Sequence, residues 1–302
     1  MTPRSVVELV GVPFSSTGRL GGIAAAIAVL RSCHLAERLG ERVTLRDSGD
    51  LELVDQTSAR APGQLRNEGG LVSLTAMTRA AVGSALARGN LPLLVGGDCP
   101  VMLGALAALR DHTDAAGLVM IDGHEDAYPP GRSPTGEASD SELGIALGLF
   151  DETLPAELAE LTPLLSPEAV ALVGSRDAGE LTRYGVASLA DRIWLRTDFD
   201  VRQAGAQATA REATALVSRA SRRFWLHVDL DVLRSEDFPA ADYRQEGGLT
   251  WNELELATSA ILSDPGCAGW SAAIYNPDLD PRRTSARTVV EFLVATIDAA
   301  ID

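Results

Sequence analysis

Lysine is absent from the 302-residue chain, and all 26 basic residues are arginine. Schiff-base chemistry, a P-loop lysine and any mechanism that needs an ε-amine drop out with it. Acidic residues number 42, giving a net charge of −16, and no run of arginine could track a phosphate backbone or an anionic leaflet. Nucleic acid and membrane surfaces are therefore poor partners. Cysteine is scarce and odd in number: Cys33, Cys99 and Cys267 lie far apart and do not read as a disulfide framework. Met1-Thr-Pro-Arg4 leads into a strand-like segment with no signal-peptide apolar region, so a reducing cytoplasm is the expected compartment. Long apolar runs are missing too. Gly21 to Leu30 falls well short of the roughly 20 residues that a membrane span needs.

What is present is ordinary globular composition, 46% hydrophobic and 23% charged, arranged in a telling order. Short runs rich in Val, Ile and Leu alternate with longer segments of helical spacing, the pattern of a parallel sheet covered on both faces. Eight runs predict strands near Val6–Phe14, Arg42–Asp47, Leu91–Gly97, Gly117–Asp122, Ala169–Ser175, Arg192–Arg196, Phe224–Asp231 and Gly269–Asn276. Helices are predicted over Gly22–Leu39, Leu71–Arg88, Val101–Arg110, Ser141–Phe150, Asp200–Arg222, Thr250–Leu262 and Thr284–Ile301. No repeat, linker or low-complexity tract interrupts the series, so residues 1–302 read as one α/β domain. The Pro- and Gly-rich stretch Tyr128–Ser139 reads as an active-site loop.

Polar residues gather where these strands end, the position at which open α/β sheets build sites. Asp122, His124 and Asp126 follow the fourth strand at i, i+2, i+4, so on an extended backbone their side chains share a face. Asp229 and Asp231 repeat the device after the seventh strand, and His227 joins them if that strand is regular so far back. Unpaired carboxylates crowded at apolar strand ends are costly without a cation. Five oxygen or imidazole donors exceed the needs of one tetrahedral site, so a two-metal centre is the economical reading. Gly18-Arg-Leu-Gly21-Gly22 lacks the spacing of a dinucleotide fingerprint, which disfavours a nicotinamide enzyme.

Gly96-Gly-Asp-Cys99, Asp122-Gly-His-Glu-Asp126 and Asp229-Leu-Asp231, with Gly247-Gly-Leu-Thr-Trp251 and Asn276-Pro277 downstream, resemble the ureohydrolase superfamily of arginases, agmatinases and formimidoylglutamases. The order and spacing of these motifs cover nearly the whole chain. The resemblance implies a three-layer α/β/α domain with an eight-stranded parallel sheet, a homo-oligomer, and two manganese ions bridged by a hydroxide that attacks a guanidinium carbon. By motif, Asp122 and Asp229 would bridge the metals, and His124 with Asp231 would complete one site. Asp126 with Cys99 would complete the other, and Asp126 would also orient the hydroxide.

Three departures bear on chemistry. Cys99 stands where the family has histidine, and a thiolate is a softer ligand, so Zn²⁺ or another softer ion competes with Mn²⁺ unless Cys99 is a packing residue. Ile274 stands where the family's glutamate grips the substrate guanidinium. The loop histidine of arginases has no counterpart between Tyr128 and Gly144; Glu137, Asp140 and Glu142 lie there, either to receive a substrate cation or as a solvated acidic lip. Asp126, Glu137 and Glu142 are the candidate catalytic residues. Arg176, in Gly174-Ser-Arg-Asp177, is expected to pair with a neighbouring acid, and the four tryptophans are expected to pack in the core. The chain thus reads as a dinuclear metal hydrolase cleaving a C–N bond of a small guanidino, amidino or related compound other than arginine. The rival is a catalytically silent relative that keeps the fold as a binding or regulatory subunit.

Overall fold

All eight apolar runs form strands in the computed structural model, which describes residues 6–150 and 153–300. Met1–Arg4 and Ile301, on which two expectations fell, lie outside the described residues. The strands are β1 (Val7–Gly11), β2 (Leu45–Asp50), β3 (Leu91–Val95), β4 (Ala116–Ile121), β5 (Val170–Ser175), β6 (Trp194–Thr197), β7 (Arg223–Asp229) and β8 (Cys267–Ala273). They make one sheet in the order β2-β1-β3-β8-β7-β4-β5-β6, with every pairing parallel. Strands β3, β4, β5 and β8 are buried along their whole length, as strands covered by helices on both faces must be. The edge strands are less buried: β6 is partly buried throughout, and β2 is the most exposed. It starts three residues later than its apolar signal and runs into exposed Ser48-Gly-Asp50, because it pairs on one side only.

Eleven helices are described: α1 (Ala26–Ser32), α2 (Leu35–Gly40), α3 (Glu68–Ala87), α4 (Val101–His112), α5 (Glu142–Ala146), α6 (Ala156–Ala159), α7 (Ala178–Tyr184), α8 (Asp198–Ala204), α9 (Ala206–Ala220), α10 (Trp251–Leu262) and α11 (Thr284–Ile297). Two helices expected to be continuous are broken. His34 takes φ 65 between α1 and α2, and Gly205 takes φ 88 between α8 and α9. Helices α6 and α7 carried too few apolar residues to show a period. Helix α3 has 20 residues and a mean hydropathy of 1.2, enough by length and composition to cross a membrane, contrary to the expectation that no stretch is. It packs on α4 and buries Leu71, Leu74, Thr78, Val82 and Ala85, so core packing accounts for its apolar face.

Two apolar layers flank the sheet. Ile27, Leu226, Ile261 and Val290 belong to one, and Leu74, Leu106, Met120 and Trp225 to the other. Trp225 and Trp270 are core residues as expected; Trp194 and Trp251 are only partly buried and pack against the core from its margin, Trp194 with the Arg196 guanidinium 4.5 Å from its ring. The carboxyl ends of β3, β8, β7 and β4, adjacent in the middle of the sheet, open onto one region.

Candidate metal centre and substrate cavity

After β3 the chain reverses through Gly96 and Gly97, at φ 92 and φ 67. A Cβ on Gly97 would lie 2.5 Å from the Val12 carbonyl oxygen, so only glycine permits this approach. The turn buries Asp98, whose carboxylate accepts the backbone N–H of Ser16 at 2.7 Å and of Cys99 at 3.0 Å. Cys99 is thereby aimed across the sheet, and its thiol donates to Asp229 Oδ2 at 2.7 Å.

The donors after β4 converge, but not by strand alternation. The strand ends at Ile121, and Asp126 sits at φ 43, so a turn swings its carboxylate inward. Asp122 Oδ1 accepts the His124 N–H at 2.7 Å, leaving Oδ2 buried with no partner among the described residues. His124 Nδ1 lies 3.0 Å from Asp231 Oδ2. β7 likewise stops at Asp229, and a 3-10 turn over Leu230–Val232, capped by Asp229 accepting the Asp231 N–H at 2.6 Å, redirects Asp231. Turns that satisfy local N–H groups thus gather the side chains that the spacing had assigned to extended backbone.

Ligand-type atoms fall into three groups, each with its atoms within 4.8 Å of one another: Cys99, Asp122 and His227; Asp122, His124 and Asp231; Asp122, Asp126 and Glu142. Asp122 is common to all three. Five of the six sequence-predicted ligands fall in these groups; Asp229 is in none of them and adjoins them through hydrogen bonds from the Cys99 thiol and the Asp231 N–H, and Cys99 and Asp126, expected to share one site, fall in different groups. Glu142 is fully buried and both its carboxylate oxygens lack partners among the described residues. It is not a solvated lip. Glu137 is half-buried and accepts from the Tyr243 hydroxyl at 3.2 Å. Asp140 accepts from Ser133 and Thr135.

Burial raises the Asp126 carboxyl well above its ordinary range, with Glu142 adding repulsion, and burial raises Glu142, with Asp122 adding. Burial and Asp231 raise Asp229, and burial holds Asp122 at about 6. Burial, then Asp229, pushes the Cys99 thiol up. His124 and Asp231 are the exception. Burial opposes charge on both, but the facing partner outweighs it, so the imidazole is raised and the carboxyl lowered. Burial, then Asp98, lifts Glu137 to about 7. So many buried anionic groups with orphaned oxygens, beside a thiol and two imidazoles, form the donor set of divalent cations.

A cavity of roughly 310 Å³ opens above this cluster, lined by His124, Asp126, Asp229 and Asp231 at its floor. Ile274 is part of its wall, with 6% of its surface exposed and the backbone at φ 74. Asp140, Asp177, Glu180 and Asp242 supply acidic wall and Arg244 a basic one. Tyr128, Pro134, Thr135 and Ser139 also line the cavity, so the Tyr128–Ser139 loop borders the site as expected. Tyr243, Gln245 and Asp242 were not foreseen, because the segment between β7 and Gly247 carries no motif; Asn276 holds Asp242 from the far side through a 2.5 Å hydrogen bond. Among the described residues Arg176 forms no ion pair with an acid. Its guanidinium donates to the Asp231 carbonyl at 2.6 Å and reaches those of Val232 and Leu233, fixing the turn that carries Asp231.

The model of the arginase family matches residues 5–297. The arginase of Bacillus caldovelox is 26% identical over 291 residues, covering 95% of this chain and 96% of that protein. Among solved structures, the arginase of Bacillus cereus superposes with a TM-score of 0.82 at 24% identity, covering 96% of this chain and 98% of that one. The formimidoylglutamase of Bacillus subtilis gives a TM-score of 0.77 at 19% identity, covering 99% of this chain and 88% of that one.

Proposed function

From the premise that the chain belongs to the arginase family, whose members are metal-dependent hydrolases of guanidino and amidino C–N bonds, we propose that it hydrolyses a substrate less basic than arginine at a dinuclear centre. The observation that carries this reading is the cluster of Cys99, Asp122, His124, Asp126 and Asp231, with Asp229 hydrogen-bonded to Cys99, beneath a cavity whose wall includes Ile274. Asp122 and Asp229 would bridge two cations, His124 and Asp231 completing one site and Cys99 and Asp126 the other. Mn²⁺ or, given the Cys99 sulfur, Zn²⁺ would supply an activated water and polarise the C–N group.

The chain's own residues do the rest. Asp126, kept at φ 43 and lining the cavity, is the group positioned to orient the attacking water. Glu137, held at about 7 and hydrogen-bonded to the cavity-lining Tyr243, is suited to pass a proton to the departing nitrogen near neutral pH. Glu142, buried beside Asp126, is suited to keep a proton next to it. Ile274 offers no counter-charge on its side of the cavity, so a guanidinium set against it forgoes a charged partner worth about 3 kcal/mol unless it turns to Asp177, Glu180 or Asp242. An N-hydroxy- or acyl-substituted guanidine, an amidine or a formamide-like group escapes most of that loss. Asp177, Glu180 and Arg244 around the mouth match a substrate tail that carries both an ammonium and a carboxylate. A reducing cytoplasm is the compartment proposed, on the reading that three widely spaced cysteines do not make a disulfide framework.

A panel assay of urea or ammonia release tests this reading. Specificity constants for N-hydroxyguanidino or neutral C–N substrates should exceed those for arginine and agmatine by at least about tenfold, or about 1.4 kcal/mol. Ile274→Glu should move the preference back towards arginine. Arginine as the best substrate of the unmodified enzyme would overturn it.

A further inference from the structure

Replacement of the family histidine by Cys99 removes an imidazole from one metal site, yet a different imidazole faces the same carboxylate. His227 lies in β7 two residues before Asp229, opposite Met120 of β4 and Ser271 of β8. It is fully buried. Its Nδ1 is 2.7 Å from Ser271 Oγ, and that hydroxyl also accepts the Trp225 indole N–H at 2.9 Å, so the ring is held by two strands. Nε2 has no hydrogen-bond partner among the described residues. A ring nitrogen of His227, a carboxylate oxygen of Asp122 and the Cys99 sulfur lie within 4.8 Å of one another.

We infer that His227 is a metal ligand that restores the imidazole lost at position 99, so that the cation beside Cys99 is held by sulfur, nitrogen and carboxylate oxygen. The inference rests on the dinuclear reading and specifies one of its two sites. A buried ring nitrogen left bare is costly, and a cation offsets that cost. Ser271 occupies the other nitrogen, as the partners of metal-bound histidines commonly do. A thiolate, an imidazole and carboxylates suit Zn²⁺ or Co²⁺ better than Mn²⁺. The group of Asp122, His124 and Asp231 contains no sulfur, so the two sites differ in softness.

Titration of the metal-stripped full chain with Co²⁺ alone tests this. The unmodified chain should bind two ions, one of them giving a thiolate-to-cobalt band in the near ultraviolet. His227→Gln should weaken that ion at least about tenfold and diminish its band while leaving the other ion's affinity unchanged. Cys99→His placed in the His227→Gln chain should restore the affinity without the band. A His227→Gln chain that binds both ions with unchanged affinity and band overturns the inference. Should that variant not fold, NMR of the histidine ring nitrogens in the unmodified chain decides. Two of its four histidines, His124 and His227, should move on Zn²⁺ saturation, and movement of His124 alone overturns the inference. Two bound ions with only His124 moving leave the dinuclear reading standing; fewer than two ions in the unmodified chain removes that reading and the inference with it.

Discussion

Isoleucine is poorly suited to the left-handed backbone region, yet Ile274 occupies it at φ 74, its N–H donating to the Gly97 carbonyl at 2.9 Å. Strain of this kind costs about 1–3 kcal/mol and persists where surrounding structure over-determines the backbone, commonly at active sites. The identity of residue 274 was readable in the sequence; its conformation was not, because a long-range contact to the glycine turn after β3 sets it. Glu8 was invisible for the same reason. It looks like an interruption of an apolar run, but it is 2% exposed and accepts from Arg88 and Asn90 at the end of α3 and from Ser48 of β2, with Arg46 at 3.7 Å. Burial alone would raise its carboxyl, and the hydrogen bonds from Arg88, Asn90 and Ser48 outweigh burial and lower it. The stabilisation from a carboxylate lowered in the folded state is complete above its unfolded value and is lost as pH falls through the folded one. Glu8→Gln should therefore cost about 2 kcal/mol in urea unfolding at pH 7, and the gap to the unmodified chain should narrow as the pH is taken below Glu8's folded value. A gap that does not change with pH would show that the charge contributes nothing.

Elements built from strong apolar runs were legible, and those set by tertiary context were not. β4 and β5 showed themselves because burial on both faces demands unbroken Val, Ile and Leu. The end of β2 shifted because its last residues pair only with β1, across an irregular register between Leu9 and Gly11. The breaks at His34 and Gly205 hide inside helical periodicity, which a single left-handed residue hardly disturbs. At the site, the sequence identified the donors but misattributed the geometry: alternation along extended strands was expected, and 3-10 and left-handed turns do the gathering. His227 was named only conditionally, since nothing local fixes how far β7 stays regular. The glycine turn after β3 is the element on which this arrangement most depends. Gly97→Ala forces a Cβ to within 2.5 Å of the Val12 oxygen at a φ that alanine disfavours, a cost of about 2–4 kcal/mol in chemical unfolding. Because Cys99 lies only two residues further on, the same variant should bind the Cys99-side ion more weakly. Unchanged unfolding and metal affinity would mean that the turn relaxes freely.

On the scale of the molecule, a chain with net charge −16 concentrates buried carboxylates at the middle of its own sheet, which is self-repulsive until cations arrive. Ions that bind only the folded chain stabilise it by mass action, by about 4 kcal/mol at a thousandfold excess over Kd. Chelation should lower the melting temperature by several degrees, and Mn²⁺ or Zn²⁺ should restore it; a melting curve indifferent to chelator would mean that the cluster holds no ion. The central claim is that Asp122 and Asp229 serve two ions together, and metal content reports it most directly. Elemental analysis of the chain purified from Mn²⁺-supplemented medium should find two ions per chain, and Asp229→Ala should lose both together with activity. Two retained ions and full activity in Asp229→Ala would contradict the dinuclear account.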